Sequence, residues 1–237
     1  MDKWTKYFQT YRIIETRNDE DLLYQVGTTT NSRPISRIQH KAMVDSIITA
    51  LELNPNDNLL DLCCGNGVIT FDLSSYSNMI IGIDSSFPYI QNAINKKKVD
   101  NIEYYCSDIL DMVKYIEEKK INKVLFYAAL AYFTRREIST ILLQLKQLNV
   151  EKIFIGGILD KDRKLNFFRS RVKVLLYLFH SYILRKDPGL GNWWTTIEII
   201  SIARKAGYEA FVLTQPDILH TAHYRFDILL INNDYYG

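Results

Sequence analysis

The run Leu59-Leu60-Asp61-Leu62-Cys63-Cys64-Gly65-Asn66-Gly67-Val68-Ile69-Thr70 ends an apolar stretch near a carboxylate and then turns on two glycines into a helix. Glycines at 65 and 67 let backbone approach a bound molecule with no Cβ in the way. The free N–H groups at the start of the following helix point into the same space. The chemistry this suits is nucleotide binding. A dinucleotide GxGxxG turn aligned on Gly65 and Gly67 would need its third glycine at Thr70. The acid at Asp61 would also repel a pyrophosphate, whereas it suits a cationic amino group.

Two further apolar runs end in the same kind of chemistry. Met79 to Asp84 (MIIGID) closes on an acid about twenty residues downstream, where a carboxylate can accept both hydroxyls of a ribose. Tyr104-Tyr105-Cys106-Ser107-Asp108-Ile109 closes on Ser-Asp, and Asp108 alone would also serve as a helix N-cap. With these residues in this order, the chain resembles the class I S-adenosylmethionine-dependent methyltransferases. Asp61, Gly65 and Gly67 match that family's first motif, and Cys63 stands where its first glycine usually does. The resemblance implies S-adenosylmethionine as the methyl donor. It places Asp61, Cys63, Gly65 and Gly67 at the glycine bend, Asp84 and Ser85 at the ribose, and Ser107, Asp108 and Ile109 beside the adenine.

Beyond the donor, the run Tyr127-Ala128-Ala129-Leu130-Ala131-Tyr132-Phe133 falls where the family's acceptor meets the methyl group. Tyr127 is a candidate donor wall, since ring faces attract a desolvated sulfonium, and Tyr132 is a candidate acceptor contact. Family members that methylate exocyclic amino groups of nucleobases often carry an Asn/Asp-Pro-Pro-Tyr/Phe turn here, which this chain lacks. A hydroxyl acceptor would need a base. The segment Gln215 to Arg225 supplies His223 as the first candidate and His220 as the second, with Arg225 placed to orient an anionic acceptor. Two solvated loop histidines would read the same way. His40 sits on a helix side, and His180 within an apolar helix reads as packed.

The elements that must position these residues follow from periodicity. Residues 35–52 and Pro88 to Lys98 repeat at helical spacing, and the basic run Lys96 to Lys98 reads as a solvated helix end. Thr134 with Glu137, and Thr195 with Glu198, form capping boxes that open two later helices. Strands are expected at Lys123 to Tyr127, Lys152 to Gly156, Glu209 to Leu213 and Tyr224 to Ile231. Helices alternating with strands predict a mainly parallel sheet covered on both faces, with the last strand reversed because no helix precedes it. The expected class is therefore α/β, a three-layer Rossmann-like methyltransferase fold with a seven-stranded sheet, the likeness covering about residues 35–231.

Two segments stand outside that minimal fold. Residues 1–34 are expected to form an N-terminal lid, with Tyr7 or Tyr11 closing the pocket and Gly27 to Pro34 as a flexible loop. Residues 160–191 are a helical insertion within the 35–237 methyltransferase domain. Their stretch 167–186 offers a weak membrane-surface contact, a pocket cap or a homodimer face.

At 237 residues, with 24% charged and a formal charge of +2, the chain suits one globular domain and carries no global signal for nucleic acid. Three cysteines show neither a disulfide framework nor metal-ligand spacing, and no signal peptide opens the chain, so a reducing cytoplasm is expected. The function that accounts for all three strand ends is methyl transfer to an oxygen of a sugar or small-molecule acceptor, a small molecule or glycan rather than nucleic acid being the expected partner. A nucleotide-dependent oxidoreductase and a catalytically silent donor-binding partner subunit are the alternatives.

Overall fold

The computed structural model describes residues 3–168, 170–179 and 191–235. Its centre is a sheet of strands β3 (Asn58–Leu62), β4 (Met79–Asp84), β5 (Ile102–Cys106), β6 (Lys123–Tyr127), β7 (Lys152–Leu159), β8 (Tyr208–Leu213) and β9 (Arg225–Asn232), ordered β5-β4-β3-β6-β7-β9-β8. The five strands from β5 to β7 run parallel, and β9 lies antiparallel to both β7 and β8. Strand β3 is buried through Leu59, Leu60, Asp61 and Leu62, as expected of a central parallel strand covered on both faces.

Helices cover the sheet in two layers. On one side, the core gathers Leu60, Leu62, Phe126 and Ile155 under α7 (Arg135–Gln147) and α9 (Thr196–Lys205). On the other, Leu59, Ile80, Leu125 and Phe154 pack under α3 (Arg37–Leu51). Both expected capping boxes form, Thr134 with Glu137 and Thr195 with Glu198, and Ser36 with Gln39 makes a third. The order change at β3 separates chain going one way to β4 from chain going the other way to β6, which opens a crevice at the carboxyl ends of these strands.

The N-terminal segment lies across that crevice. Helices α1 (Lys3–Phe8) and α2 (Asp19–Gln25) are followed by a ribbon, β1 (Thr29–Thr30) and β2 (Arg33–Pro34), rather than the flexible loop expected there. Asn31 and Ser32 take φ of 53° and 60°, the left-handed pair that a two-residue hairpin turn requires. Helix α2 buries Leu22 and Leu23 against Val68 and Ile35. The lysine run after α5 (Phe87–Lys96) also departs from expectation. Lys97 is only 6% exposed, ion-paired with Asp19 at 2.7 Å and set over the Phe71 ring, so it ties the lid to the sheet layer instead of meeting solvent.

The insertion begins and ends on neighbouring backbone. Asp160 bridges to Trp194, and between them lie a short 3-10 turn at Lys164–Phe167 and α8 (Arg171–Leu178). The charged start of this stretch is structural. Arg163 pairs with Asp160 at 2.5 Å and donates to the carbonyls of Ala222 and Arg225 at 2.9 and 2.8 Å, holding the β8–β9 loop. His180 and part of 167–186 lie outside the described residues, and among the described ones no helix is long and apolar enough to cross a membrane.

Candidate functional site

The glycine bend after β3 is shaped by three successive demands. Cys63 takes φ of 59°, a left-handed conformation that a residue with a Cβ adopts only under tertiary constraint. Gly65 follows at φ 58°, and a Cβ there would meet Val26 Cγ1 at 2.9 Å, so glycine lets the N-terminal segment pack on the bend. Gly67, at φ 75°, faces away from the crevice. A Cβ on it would sit 2.4 Å from the Tyr104 hydroxyl, which makes close packing of helix on strand, not ligand approach, its reason to be glycine. Asn66 donates to the Leu22 carbonyl and to Gln25 Oε1, each at 2.9 Å, so the bend itself grips the lid.

The two acids have different surroundings. Asp61 is 3% exposed and accepts a 2.6 Å hydrogen bond from the Thr70 hydroxyl, so it stands behind the bend rather than on the cavity wall. Burial pushes its carboxyl up to about 7, against the Thr70 hydrogen bond and aided by the nearby Asp84 charge. Asp84 ends β4 on the wall. One carboxylate oxygen accepts from Gly65 N–H at 2.9 Å and the other from Ser86 N–H at 2.8 Å. Each oxygen keeps lone-pair capacity for hydroxyls presented from the cavity. Burial raises the Asp84 carboxyl, while those two N–H donors oppose the shift.

One cavity gathers the strand tips. Its first wall is Cys63, Cys64 and Gly65, and its second is Asp84 and Ser85 with Tyr89. Asp108, Ile109 and Leu110 form the third, and Tyr127, Ala128, Ala129, Tyr132 and Phe133 the fourth. Asp108 also caps the turn after β5, accepting from Leu110 N–H at 3.0 Å, so both roles open to it in the sequence are compatible. Ser107 donates its N–H to the Asp84 carbonyl at 3.0 Å and is off the wall. Tyr127 lies over Gly156, where a Cβ would come within 2.4 Å of the ring. Burial raises the hydroxyls of Tyr127 and Tyr132, which keeps both neutral and able to donate.

The lid residues on the wall are Trp4, Phe8, Val26 and Thr28. Trp4 and Phe8 meet the Tyr132 ring with centroids 4.8 and 4.9 Å away. Tyr7 and Tyr11, the expected closing residues, stack on each other at 4.7 Å behind them, and neither lines the cavity. Helical spacing explains the difference: Trp4 and Phe8 are four residues apart and share one face of α1, a pairing that the sequence spacing already carries. Glu137, the partner in the α7 capping box, also reaches the wall.

The histidines are not brought to the cavity. His223 is exposed, edge-on to Tyr224 at 5.0 Å, and its carbonyl accepts from Asn166. His220 places Nδ1 2.6 Å from the Thr30 hydroxyl, joining the β8–β9 loop to the ribbon. His40 pairs with Asp72 at 2.5 Å, and neither lines the cavity. Among the described residues, then, the side chains on the wall that titrate are carboxyls, tyrosines and thiols, and the base expected at His223 or His220 has no place at the strand tips. The loop does sit at the carboxyl edge of the sheet, but its histidines turn to the outside and to the lid. Arg225, at the start of β9, lies next to the fourth wall without forming part of it.

Comparison with known proteins agrees with this fold. Residues 53–155 match a family model described as a methyltransferase domain. A 23S rRNA (uracil(1939)-C(5))-methyltransferase from Vesicomyosocius okutanii is 29% identical over 92 residues, 36% of this chain and 21% of that protein. A probable cobalt-precorrin-6B C(15)-methyltransferase (decarboxylating) from Methanococcus maripaludis is 30% identical over 128 residues, 53% of this chain and 64% of that protein. The chain thus spans about a fifth of the first relative's length and under two thirds of the second's. Magnesium protoporphyrin IX methyltransferase from Synechocystis PCC 6803, solved with bound SAH, superposes with a TM-score of 0.64 at 17% identity over 97% of both chains, a likeness of fold.

Two expectations change. Relatives that methylate rRNA overturn the exclusion of nucleic acid drawn from net charge, because a global charge of +2 says nothing about a local surface. Neither the oxidoreductase nor the silent-subunit alternative is favoured by any of these likenesses. The motif at Asp61, Gly65 and Gly67, the methyltransferase-domain match over residues 53–155 and the strand order are all similar to those of the class I S-adenosylmethionine-dependent methyltransferases, whose fold this chain has.

Proposed function

We propose that this chain is an enzyme that moves the methyl group of S-adenosylmethionine to a hydroxyl oxygen of a small acceptor held beneath the aromatic lid. The observation that carries the reading is the single cavity in which the glycine bend, the Asp84 carboxylate and the Asp108–Leu110 turn face an aromatic wall. The residues present fit the donor. Asp84 keeps lone pairs for the ribose hydroxyls, Ser85 and Asp108 offer polar edges, and Ile109 and Leu110 supply an apolar surface for a base. When bound, the donor supplies an electrophilic methyl group on a positively charged sulfur.

What the protein adds is placement. Attack requires an acceptor lone pair in line with the methyl carbon at about 3 Å, and holding that geometry is where most of the rate gain arises. Tyr127 and Tyr132, half-buried and neutral, present ring faces to positive charge, the Tyr127 hydroxyl turning to Gln215. As the acceptor oxygen gains the methyl group, its hydroxyl proton passes to a carboxylate on the same wall, such as Glu137. Trp4 and Phe8 close the same space, which excludes water and favours a flat, unsaturated acceptor.

Calorimetric titration with S-adenosylhomocysteine, followed by transfer of labelled methyl to a panel of phenols, sugars and short RNAs, tests the proposal. Binding of S-adenosylhomocysteine with label appearing on a small hydroxyl compound is the expected result. Label on RNA alone would reassign the acceptor, and no binding would remove the donor site.

A further inference from the structure

We propose that Arg225 anchors an oxyanion, a carboxylate or a phosphate, carried by the methyl acceptor. This rests on the methyl-transfer reading above and names the substrate class of the same site. Arg225 is fixed from its backbone outward: its N–H donates to the Thr221 carbonyl at 2.9 Å, and its own carbonyl accepts from Arg163 at 2.8 Å. Its side chain, by contrast, makes no hydrogen bond or ion pair with any described residue: Cζ stands 5.7 Å from the centroid of the Tyr224 ring, and the buried Nε lacks a hydrogen-bond partner among the described residues. A partly buried guanidinium left in that state is costly unless an incoming group completes it.

The surroundings point that group toward the cavity. Strand β7 carries a bulge at Gly156-Gly157, with Gly157 at φ 67°. A Cβ on Gly157 would stand 3.2 Å from Arg225 Nη1 and 3.2 Å from Ala128 Cβ, and Ala128 is on the cavity wall. The missing Cβ therefore lets Arg225 Nη1 approach Ala128 closely, at the edge of the fourth wall. Ala128 itself holds φ of 55°, a left-handed conformation at the tip of β6. The nearest acid along the strand, Asp227, is already engaged, accepting from Gly157 N–H at 2.7 Å and from Gln215 Nε2 at 2.9 Å, and the Arg225 charge reaches it only through space, drawing its carboxyl down against burial. The Arg225 charge is felt at Tyr127 and Tyr132, where it pulls both hydroxyls down against burial. A planar fork of donors beside that wall is matched by a planar carboxylate or by two phosphate oxygens.

The test uses the full chain and three probes, 4-hydroxybenzoate, phenyl phosphate and neutral 4-hydroxybenzamide, titrated by ligand-observed NMR with and without saturating S-adenosylhomocysteine. Either anionic probe should bind about tenfold more tightly than the amide, as one charge-assisted hydrogen bond would give. Arg225→Gln should abolish that preference while leaving S-adenosylhomocysteine affinity unchanged, and Arg225→Lys should keep part of it. Equal affinity for charged and neutral probes, or a preference that survives in Arg225→Gln, overturns the proposal. Should Arg225→Gln fail to fold, the comparison in the unaltered chain decides by itself. An oxyanion preference in a chain that ignores S-adenosylhomocysteine keeps the anion site and overturns methyl transfer instead. Displacement of the probes by a short single-stranded RNA at lower concentration than by phenyl phosphate assigns the oxyanion to a nucleic-acid backbone and overturns the small-acceptor form.

Discussion

The tips of β3 to β5 and the tip of β6 face one cavity, yet they are built on different principles. On the donor side, short-range chemistry suffices: Asp84 accepts from Gly65 and Ser86, and Asp108 caps its own turn. On the acceptor side nothing is local. Tyr132 meets Trp4 and Phe8 from the other end of the chain, Tyr127 needs Gly156 on the neighbouring strand, and Arg225 reaches the wall only across Gly157. A common cofactor is gripped by strand ends and backbone, which one stretch of chain can encode. A particular acceptor is shaped by side chains that only packing brings together.

That contrast can be broken most forcefully at the bend. Gly67→Ala puts a Cβ into the Tyr104 hydroxyl at a left-handed φ and should cost about 2–4 kcal/mol in urea unfolding. A change below the error of the measurement would return Gly67 to the ligand. Next comes the buried acid. Asp61 holds its proton up to about 7 when folded, against an ordinary 3.8, so the folded state binds more protons than the unfolded state between those values. Stability should therefore fall as pH rises from about 4 to about 7 and level off above. Asp61→Asn should flatten that slope in denaturation curves taken across the range, and an unaltered slope would show that the carboxyl titrates normally.

Asp84→Ala should weaken S-adenosylhomocysteine binding at least tenfold, about 1.4 kcal/mol by calorimetry. Unchanged affinity would take Asp84 out of the donor side. On the acceptor side, Trp4→Ala should raise the acceptor KM roughly three- to tenfold with donor affinity kept, and Tyr7→Ala, 43% exposed and off the wall, should do much less. Equal effects would mean that α1 acts as a whole and not through one face. The smallest effect belongs to His223→Ala, whose kcat should stay within about twofold because the exposed ring is away from the strand tips. A large loss would place the loop over the acceptor during turnover.

Legibility follows the same division. Alternating apolar runs and capping boxes marked β3, β4, β6, β7, α7 and α9 closely, because period and cap are properties of adjacent residues. Asp84, Asp108 and Gly65 could be placed at strand tips for that reason. Lys97 could not: beside two other lysines it reads as solvated, and only the arrival of Asp19 and Phe71 makes it a buried clamp. The Gly27 to Pro34 segment looked like loop because Asn31-Ser32 is a weaker hairpin signal than Asn-Gly. His223 and His220 were assigned by the side of the sheet their loop occupies, which is right for the backbone and silent about where each ring turns.

By itself, then, the amino-acid order determined the strand-and-helix alternation, the reversed last strand and the family motif at the first bend, since each depends on neighbours in sequence or on the fixed handedness of chain connections. Tertiary structure alone decided that Trp4 and Phe8, rather than Tyr7 and Tyr11, close the cavity. It also decided that Gly67 serves Tyr104 and that Arg225 stands beside Ala128, its Nε without a hydrogen-bond partner among the described residues. Those outcomes depend on which distant side chains compete for the same few ångströms of space, and no local pattern records that competition.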